Sequence, residues 1–168
     1  AAPIGEVEQP TYIKFEGTIK EVNIKDKSYS ILVENDSKDN LNKLVSFITE
    51  DVVLIEDDTM EFIQKEDLKK DMVVLVYYHK ETPILMSYPP QLTPDAIVVR
   101  TKSFINTVAD KFDHDLISSD GSLRVNIHED TEVVNKKNNE VDKDKIGGKD
   151  LIFSYIDILE SYPAQVSP

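Results

Sequence analysis

The sequence contains no cysteine. That excludes disulfide scaffolds, thiolate metal sites and cysteine nucleophiles, and it leaves the compartment open. Basic residues are few, 19 against 32 acidic ones, for a formal net charge of −13. Nucleic acid and anionic membranes both require clustered positive charge, so neither is an expected partner. The balance favours solubility, cationic partners or divalent ions. No segment reaches the roughly 20 apolar residues of a membrane span, so no membrane insertion by this segment is expected. Gly-x-Ser-x-Gly, His-Glu-x-x-His and a phosphate-cradling glycine loop are also missing. Gly147-Gly148 reads as a turn, and no catalytic residue is assigned.

What is present is a repeat. Ser87-Tyr88-Pro89-Pro90-Gln91-Leu92-Thr93-Pro94 matches Ser161-Tyr162-Pro163-Ala164-Gln165-Val166-Ser167-Pro168 at five of eight positions. Leu68 followed by Met72–Tyr77 parallels Ile146 followed by Asp150–Tyr155, and Ile48–Ile55 parallels Ile127–Val134. Phe15–Ile19 parallels Phe104–Val108. The four blocks keep their order, while the spacing shrinks from 89 (Phe15 to Phe104) to 74 (Ser87 to Ser161). The first copy therefore carries a polar insertion of about ten residues around Asn35–Asn40. After Pro94 it continues into Asp95–Arg100, which reads as a strand. The second copy stops at Pro168, where that strand should begin. The expectation is a natural chain that continues, with an open sheet edge at the break.

The organisation read from this is an N-terminal extension (1–11), a first repeat (12–100) and a second repeat (101–168) cut before its last strand. Tyr12 to Lys20 alternates, with Ile13, Phe15 and Ile19 on one face. Lys25-Asp26-Lys27 is a turn, and Tyr29, Ile31 and Val33 form a second strand. Met72–Tyr78 is almost continuously apolar, as a doubly covered central strand would be. Glu66–Asp71 resembles a helical turn, and Ser119-Asp120-Gly121-Ser122 a tight hairpin. The fold class expected is all-β: two tandem small β-barrels, OB-like, with five to six strands and one short helical turn each.

Gly17-Thr18-Ile19, Asp67-Leu68-Lys69-Lys70-Asp71 and Val73–Tyr77 carry a resemblance over most of each copy. It is to small β-barrel modules of secreted or cell-surface Gram-positive bacterial proteins of unknown function. Fold resemblance implies no function by itself. The opening Ala1-Ala2-Pro3-Ile4-Gly5-Glu6 reads like the start of a processed, exported protein.

The Ser-Tyr-Pro-x-Gln segments are the most distinctive candidates for binding. Tyr88 and Tyr162 could serve as exposed aromatic anchors. The reading preferred is structural: the prolines fix a bend and the tyrosine packs against the barrel. Tyr77 and Tyr78, and the junction Arg100–Phe104, are further candidate binding surfaces. Asp110, Asp113 and Asp115, or Glu34, Asp36 and Asp39, raise a calcium alternative, but neither cluster has a known calcium-loop spacing. His79, His114 and His128 would need to converge to bind zinc. With so many acids, any carboxylate pair can be nominated for glycoside hydrolysis, so none is.

The function expected is a non-catalytic extracellular or cell-envelope module. It would act as a spacer or binding segment for a protein, peptide or cell-wall polymer, without a cofactor. The alternatives are an accessory region of a secreted wall-active enzyme beyond Pro168, or a calcium- or ligand-binding lipoprotein.

Overall fold

A computed structural model describes residues 11–38, 41–161 and 163–168. The expected extension over residues 1–11 lies outside the described residues except for Thr11. The chain is all-β, with two single turns of 3-10 helix, Lys65–Asp67 and Lys143–Lys145. It divides into an N-terminal unit, Ile13–Ser103, and a C-terminal unit, Phe104–Pro168, which takes Thr11 and Tyr12 with it.

The N-terminal unit holds β1 (Tyr12–Lys25), β2 (Ser28–Glu34), β3 (Lys43–Ile48), β4 (Val53–Glu56), β5 (Val73–His79), β6 (Gln91–Leu92) and β7 (Ala96–Val99). They form one sheet in the order β4-β7-β5-β1-β2-β3-β6. Asp26 and Lys27 both take positive φ, 48° and 70°, which turns β1 directly into β2 with Lys25 opposite Ser28. A two-residue loop of that conformation matches the right-handed twist of the strands it joins. The register slips between Ile19 and Glu21, and such a bulge bends the strand. Gly17 lies where β1 crowds β2: a Cβ there would stand 2.7 Å from the Glu34 carbonyl oxygen and 2.8 Å from Val33 Cγ1.

In β5, the five residues from Val74 to Tyr78 are all buried, as expected for a strand covered on both faces. Only Thr93-Pro94-Asp95 separates β6, at one margin of the sheet, from β7 near the other. A link of that length reaches at most about 14 Å. The sheet therefore curls until its two ends are close. Its interior is filled by Phe15, Ile19, Ile31, Val33, Leu44, Val74 and Val76 among others.

The C-terminal unit holds β8 (Asn106–Lys111), β9 (Leu123–Val125), β10 (Asp150–Tyr155), β11 (Ile158–Leu159) and β12 (Ala164–Val166). β8 pairs with β10, and β11, β12 and β9 form a second small sheet. Phe112, Leu123, Val125, Phe153 and Val166 make the core. The Phe112 and Phe153 rings meet with centroids 5.6 Å apart at 51°. In both units the sheets are open, which corrects the expectation of closed barrels. The ladders leave β4 and β6 as margins in the N-terminal unit, and they split into two sheets in the C-terminal one.

The hairpin expected at Ser119–Ser122 is built around a carboxylate. Asp120 Oδ1 accepts bonds from Ser118 Oγ, Ser122 N and Ser122 Oγ, at 2.7, 3.0 and 2.6 Å. Burial alone would raise the Asp120 pKa, but these donors outweigh it and hold the carboxyl below its ordinary value. A group depressed on folding stabilises the protein above its unfolded pKa and stops doing so as pH falls through its folded one. Between about pH 5 and pH 2, wild type should therefore lose more stability than Asp120→Asn, read as the urea midpoint at each pH.

Each unit contains local hydrogen bonds of a similar pattern. Ile19 N donates to Met72 O at 2.8 Å, and Phe112 N donates to Lys149 O at 3.0 Å. Glu56 N bonds Glu61 O and Ile63 N bonds Leu54 O; Asn135 N bonds Asn139 O and Val141 N bonds Val133 O. β3 runs parallel to β6, as β9 does to β12. These positions move two of the sequence alignments. Matching bond to bond aligns Ile19 with Phe112, where the sequence alignment has Val108, and Met72 with Lys149, where it has Asp150. The second shift arises because Gly148, at φ 76°, reaches the strand one residue sooner than Asp71, also at φ 76°.

Candidate functional site

The loop between β5 and β6 is closed by its own backbone. Leu85 N donates to Gln91 O at 2.8 Å, and Gln91 N returns the bond to Leu85 O at 3.0 Å. Ser87 Oγ donates to Pro89 O at 2.8 Å, and the Tyr88–Pro89 peptide bond is cis. With the backbone groups bonded internally, the side chains between them face out. Leu85 is 62% exposed, Met86 81% and Tyr88 84%. Lys43 Nζ lies 5.8 Å from the Tyr88 ring centroid. The expected packing of this tyrosine against the sheet is thus corrected: its ring stands in solvent.

The C-terminal unit carries the same device. Ser161 Oγ donates to Pro163 O at 2.6 Å, and Leu159 pairs with Gln165. Leu159 is 62% exposed, and Ile158 is exposed as well. Tyr162 lies outside the described residues. Large apolar side chains held out on a fixed backbone suit a contact surface, because little loop entropy remains to be lost on binding.

Tyr77 and Tyr78 are not on such a surface. Both are buried in β5, and burial pushes the Tyr78 hydroxyl pKa up. A strand covered on both faces hides both alternating positions. At Arg100–Phe104 the polar side chains are already engaged within the N-terminal unit. Arg100 pairs with Glu16 and donates to Ser103 O at 2.8 Å. Lys102 pairs with Asp58 at 2.8 Å, and Thr101 Oγ1 donates to Asp57 Oδ1 at 2.6 Å. Phe104 is exposed.

The aspartates nominated for calcium hold backbone instead. Asp110 is buried, and its Oδ1 accepts from Thr11 N at 3.2 Å and Ser119 Oγ at 2.7 Å. Asp113 Oδ1 accepts from Asp115 N and Ile117 N, at 2.8 and 3.0 Å, while Asp115 is exposed. Asp39 lies outside the described residues. Among the described residues no group of three potential metal ligands converges. No helix among them is long and apolar enough to cross a membrane.

His79 Nδ1 accepts from Glu81 N at 3.1 Å. His114 and His128 both line an open groove of about 890 Å³ in the C-terminal unit, with Arg124, Glu129 and Lys143. Lys143 Nζ caps the carbonyls of His128 and Glu129, at 2.9 and 2.5 Å. His128 Nε2 lies 3.1 Å from Ser167 Oγ, and both residues are exposed.

Leu85 and Met86 escaped the sequence reading, which stopped at the tyrosine. The signal was an apolar Ile84-Leu85-Met86 run bracketed by Pro83 and Pro89, inside a loop rather than a strand. A comparison with known protein families, curated proteins and solved structures finds no match to this chain.

Proposed function

We propose that the chain is a non-catalytic binding module of the cell exterior, made of two copies of one small, barrel-like OB-type β unit. It engages its partner through the paired Ser-Tyr-Pro loops. The observation that carries this is the exposure of Leu85, Met86 and Tyr88 on an internally bonded loop, with Leu159 exposed at the matching bond pair. The similar hydrogen-bond patterns of the two units support the duplication. The charge of −13 supports solubility outside the contact. The partner is a protein, peptide or cell-wall polymer with an apolar or aromatic-accepting surface. The resemblance to Gram-positive surface modules supports a place at the cell exterior.

The test is sedimentation of the purified chain with peptidoglycan sacculi. The variant Leu85→Ser/Met86→Ser/Tyr88→Ala should bind at least about tenfold more weakly, since anchor residues of this kind contribute about 2 kcal/mol or more. Its melting temperature should stay within about 2 °C of wild type, because exposed positions contribute little to stability. Equal binding by variant and wild type would remove the loops from the reading. A full gene without an export signal would remove the location.

A further inference from the structure

We propose that the groove of the C-terminal unit seats an aromatic side chain of a partner polypeptide, at the place that Tyr29 fills in the N-terminal unit. This rests on reading the two units as copies. Matching bonds bracket the place in each. Ile19 pairs with Val33 where Phe112 bridges to Ser118. Ser46 lies opposite Leu92, and Val125 opposite Val166, in both cases on parallel strands. Val52 N donates to Thr49 O as Thr131 N does to His128 O, which sets Ile127 at the position of Ile48. Asp67 N donates to Gln64 O as Lys145 N does to Asp142 O, which sets Lys143 at the position of Lys65.

The N-terminal unit shows what belongs between these residues. Tyr29 lies opposite Ile48 and is half-buried against the core. Lys65 Nζ stands 4.8 Å from its ring centroid, and an ammonium over an aromatic face is attracted to it. The hairpin that supplies Tyr29 spans Lys20–Leu32. In the C-terminal unit the connection from Phe112 to Ser118 is only Asp113–Ile117. Leu116 N donates to Asp113 O at 3.0 Å, so the chain reverses at His114 and Asp115, where the strand bearing Tyr29 would run.

The groove opens at that place. His114, Leu116, Val125, Ile127 and Lys143 line its space of about 890 Å³. Ile48 is 6% exposed, whereas Ile127 is only partly buried. Lys143 supplies the cation, with Nζ fixed by the carbonyls of His128 and Glu129. The short turn is seated elsewhere: a Cβ on Gly147 would stand 3.0 Å from His114 Cα, and one on Gly148 3.2 Å from its Cε1. The turn is therefore held on Gly147-Gly148 and does not fold over Ile127. The shortening is internal, bounded by Phe112 and Ser118. In the N-terminal unit the strand after Pro94 runs beside β5 and β4, so its place and that of Tyr29 are separate. The occupant that fits is an aromatic residue between small polar ones, as Tyr29 stands between Ser28 and Ser30.

The test uses the full chain with labelled methyl groups and follows Leu116 and Ile127 by NMR as peptides are added. The first peptide has the sequence of Lys25–Ile31; two others carry Tyr29→Ala or Tyr29→Phe. p-Cresol is titrated separately as the free ring. The tyrosine peptide should shift both methyl signals through its ring current. The phenylalanine peptide should bind within about threefold of it, and the alanine peptide at least about tenfold more weakly. Lys143→Glu, checked for unchanged circular dichroism, should weaken the tyrosine peptide about threefold. The Leu85→Ser/Met86→Ser/Tyr88→Ala variant should bind it as wild type does.

Equal binding of the alanine and tyrosine peptides overturns the proposal, as does an unmoved Ile127 at millimolar peptide. p-Cresol binding as tightly as the peptide would assign the groove to a free aromatic molecule, which also overturns it. So would Ile127 shifts that grow with protein concentration alone and vanish in Tyr88→Ala, since they assign the groove to a second copy. The sacculus assay decides the loop reading separately.

Discussion

Alanine at Phe112 is expected to unfold the C-terminal unit. Phe112 is fully buried and packs at a tilt against Phe153, in a core with four other buried residues among those described. Truncating a buried phenylalanine costs about 3–5 kcal/mol, from lost transfer energy plus the cavity left behind. At roughly 0.05–0.15 kcal/mol per residue, a unit of this size has about 3–10 kcal/mol in total. The loss is therefore comparable to the whole margin. Truncating Ile31, also fully buried, should be better tolerated, because 13 other buried residues share its core. Hydrogen exchange distinguishes them. In Phe112→Ala, the amides of β8 and β10 should exchange at nearly unfolded rates. Protection that stays near wild type would show that this small core is not what holds the unit together.

Asp57 should be the most sensitive polar position. Its side chain is fully buried, yet it belongs to an exposed-looking run, Glu56-Asp57-Asp58-Thr59. Oδ1 accepts from Thr101 N at 3.0 Å and from Thr101 Oγ1 at 2.6 Å, which ties the end of β7 to the end of β4. Among the described residues Oδ2 has no hydrogen-bond partner. Two effects oppose each other in Asp57→Ala. Removing the unpartnered oxygen relieves a desolvation cost, while two hydrogen bonds from Thr101 to a charged acceptor are lost, about 1.5–3 kcal/mol for each at most, since Thr101 is exposed and water re-solvates its donors. Two donors against one acceptor decides the sign, and a loss of about 2–4 kcal/mol is expected. Asp57→Asn keeps an oxygen for Thr101 and should lose less than half as much. Chemical denaturation of the two variants checks the order. Equal losses would mean that Oδ1 is not the atom that matters.

Local elements were legible because their signals are local. The positive-φ turn at Asp26-Lys27, the Asp120-Gly121 hairpin and the buried run in β5 all fall where residue type and periodicity put them. The site was half legible. Ser-Tyr-Pro was visible as a recurring segment, but whether Tyr88 packs inward depends on which loop atoms bond each other. Tyr77 and Tyr78 were named as surface candidates although their apolar run already read as a doubly covered strand, and burial on both faces of β5 decides against them. The aspartates around Asp113 looked like ligands, but their acceptors are used by nearby backbone N–H groups.

By itself, then, the sequence determined the all-β class, the position of most turns and the acidic surface. Those follow from dihedral preference, alternation and composition, each read within a few residues. The tertiary structure decided three things: the open curled sheet, which strands bond each other, and that Tyr88 is exposed while Tyr77 and Tyr78 are buried. Strand alternation has a period of two, so a shift by two or four residues leaves the pattern intact. Ile19 N bonds Met72 O and Phe112 N bonds Lys149 O, and only such hydrogen bonds between strands distant in sequence fix a register.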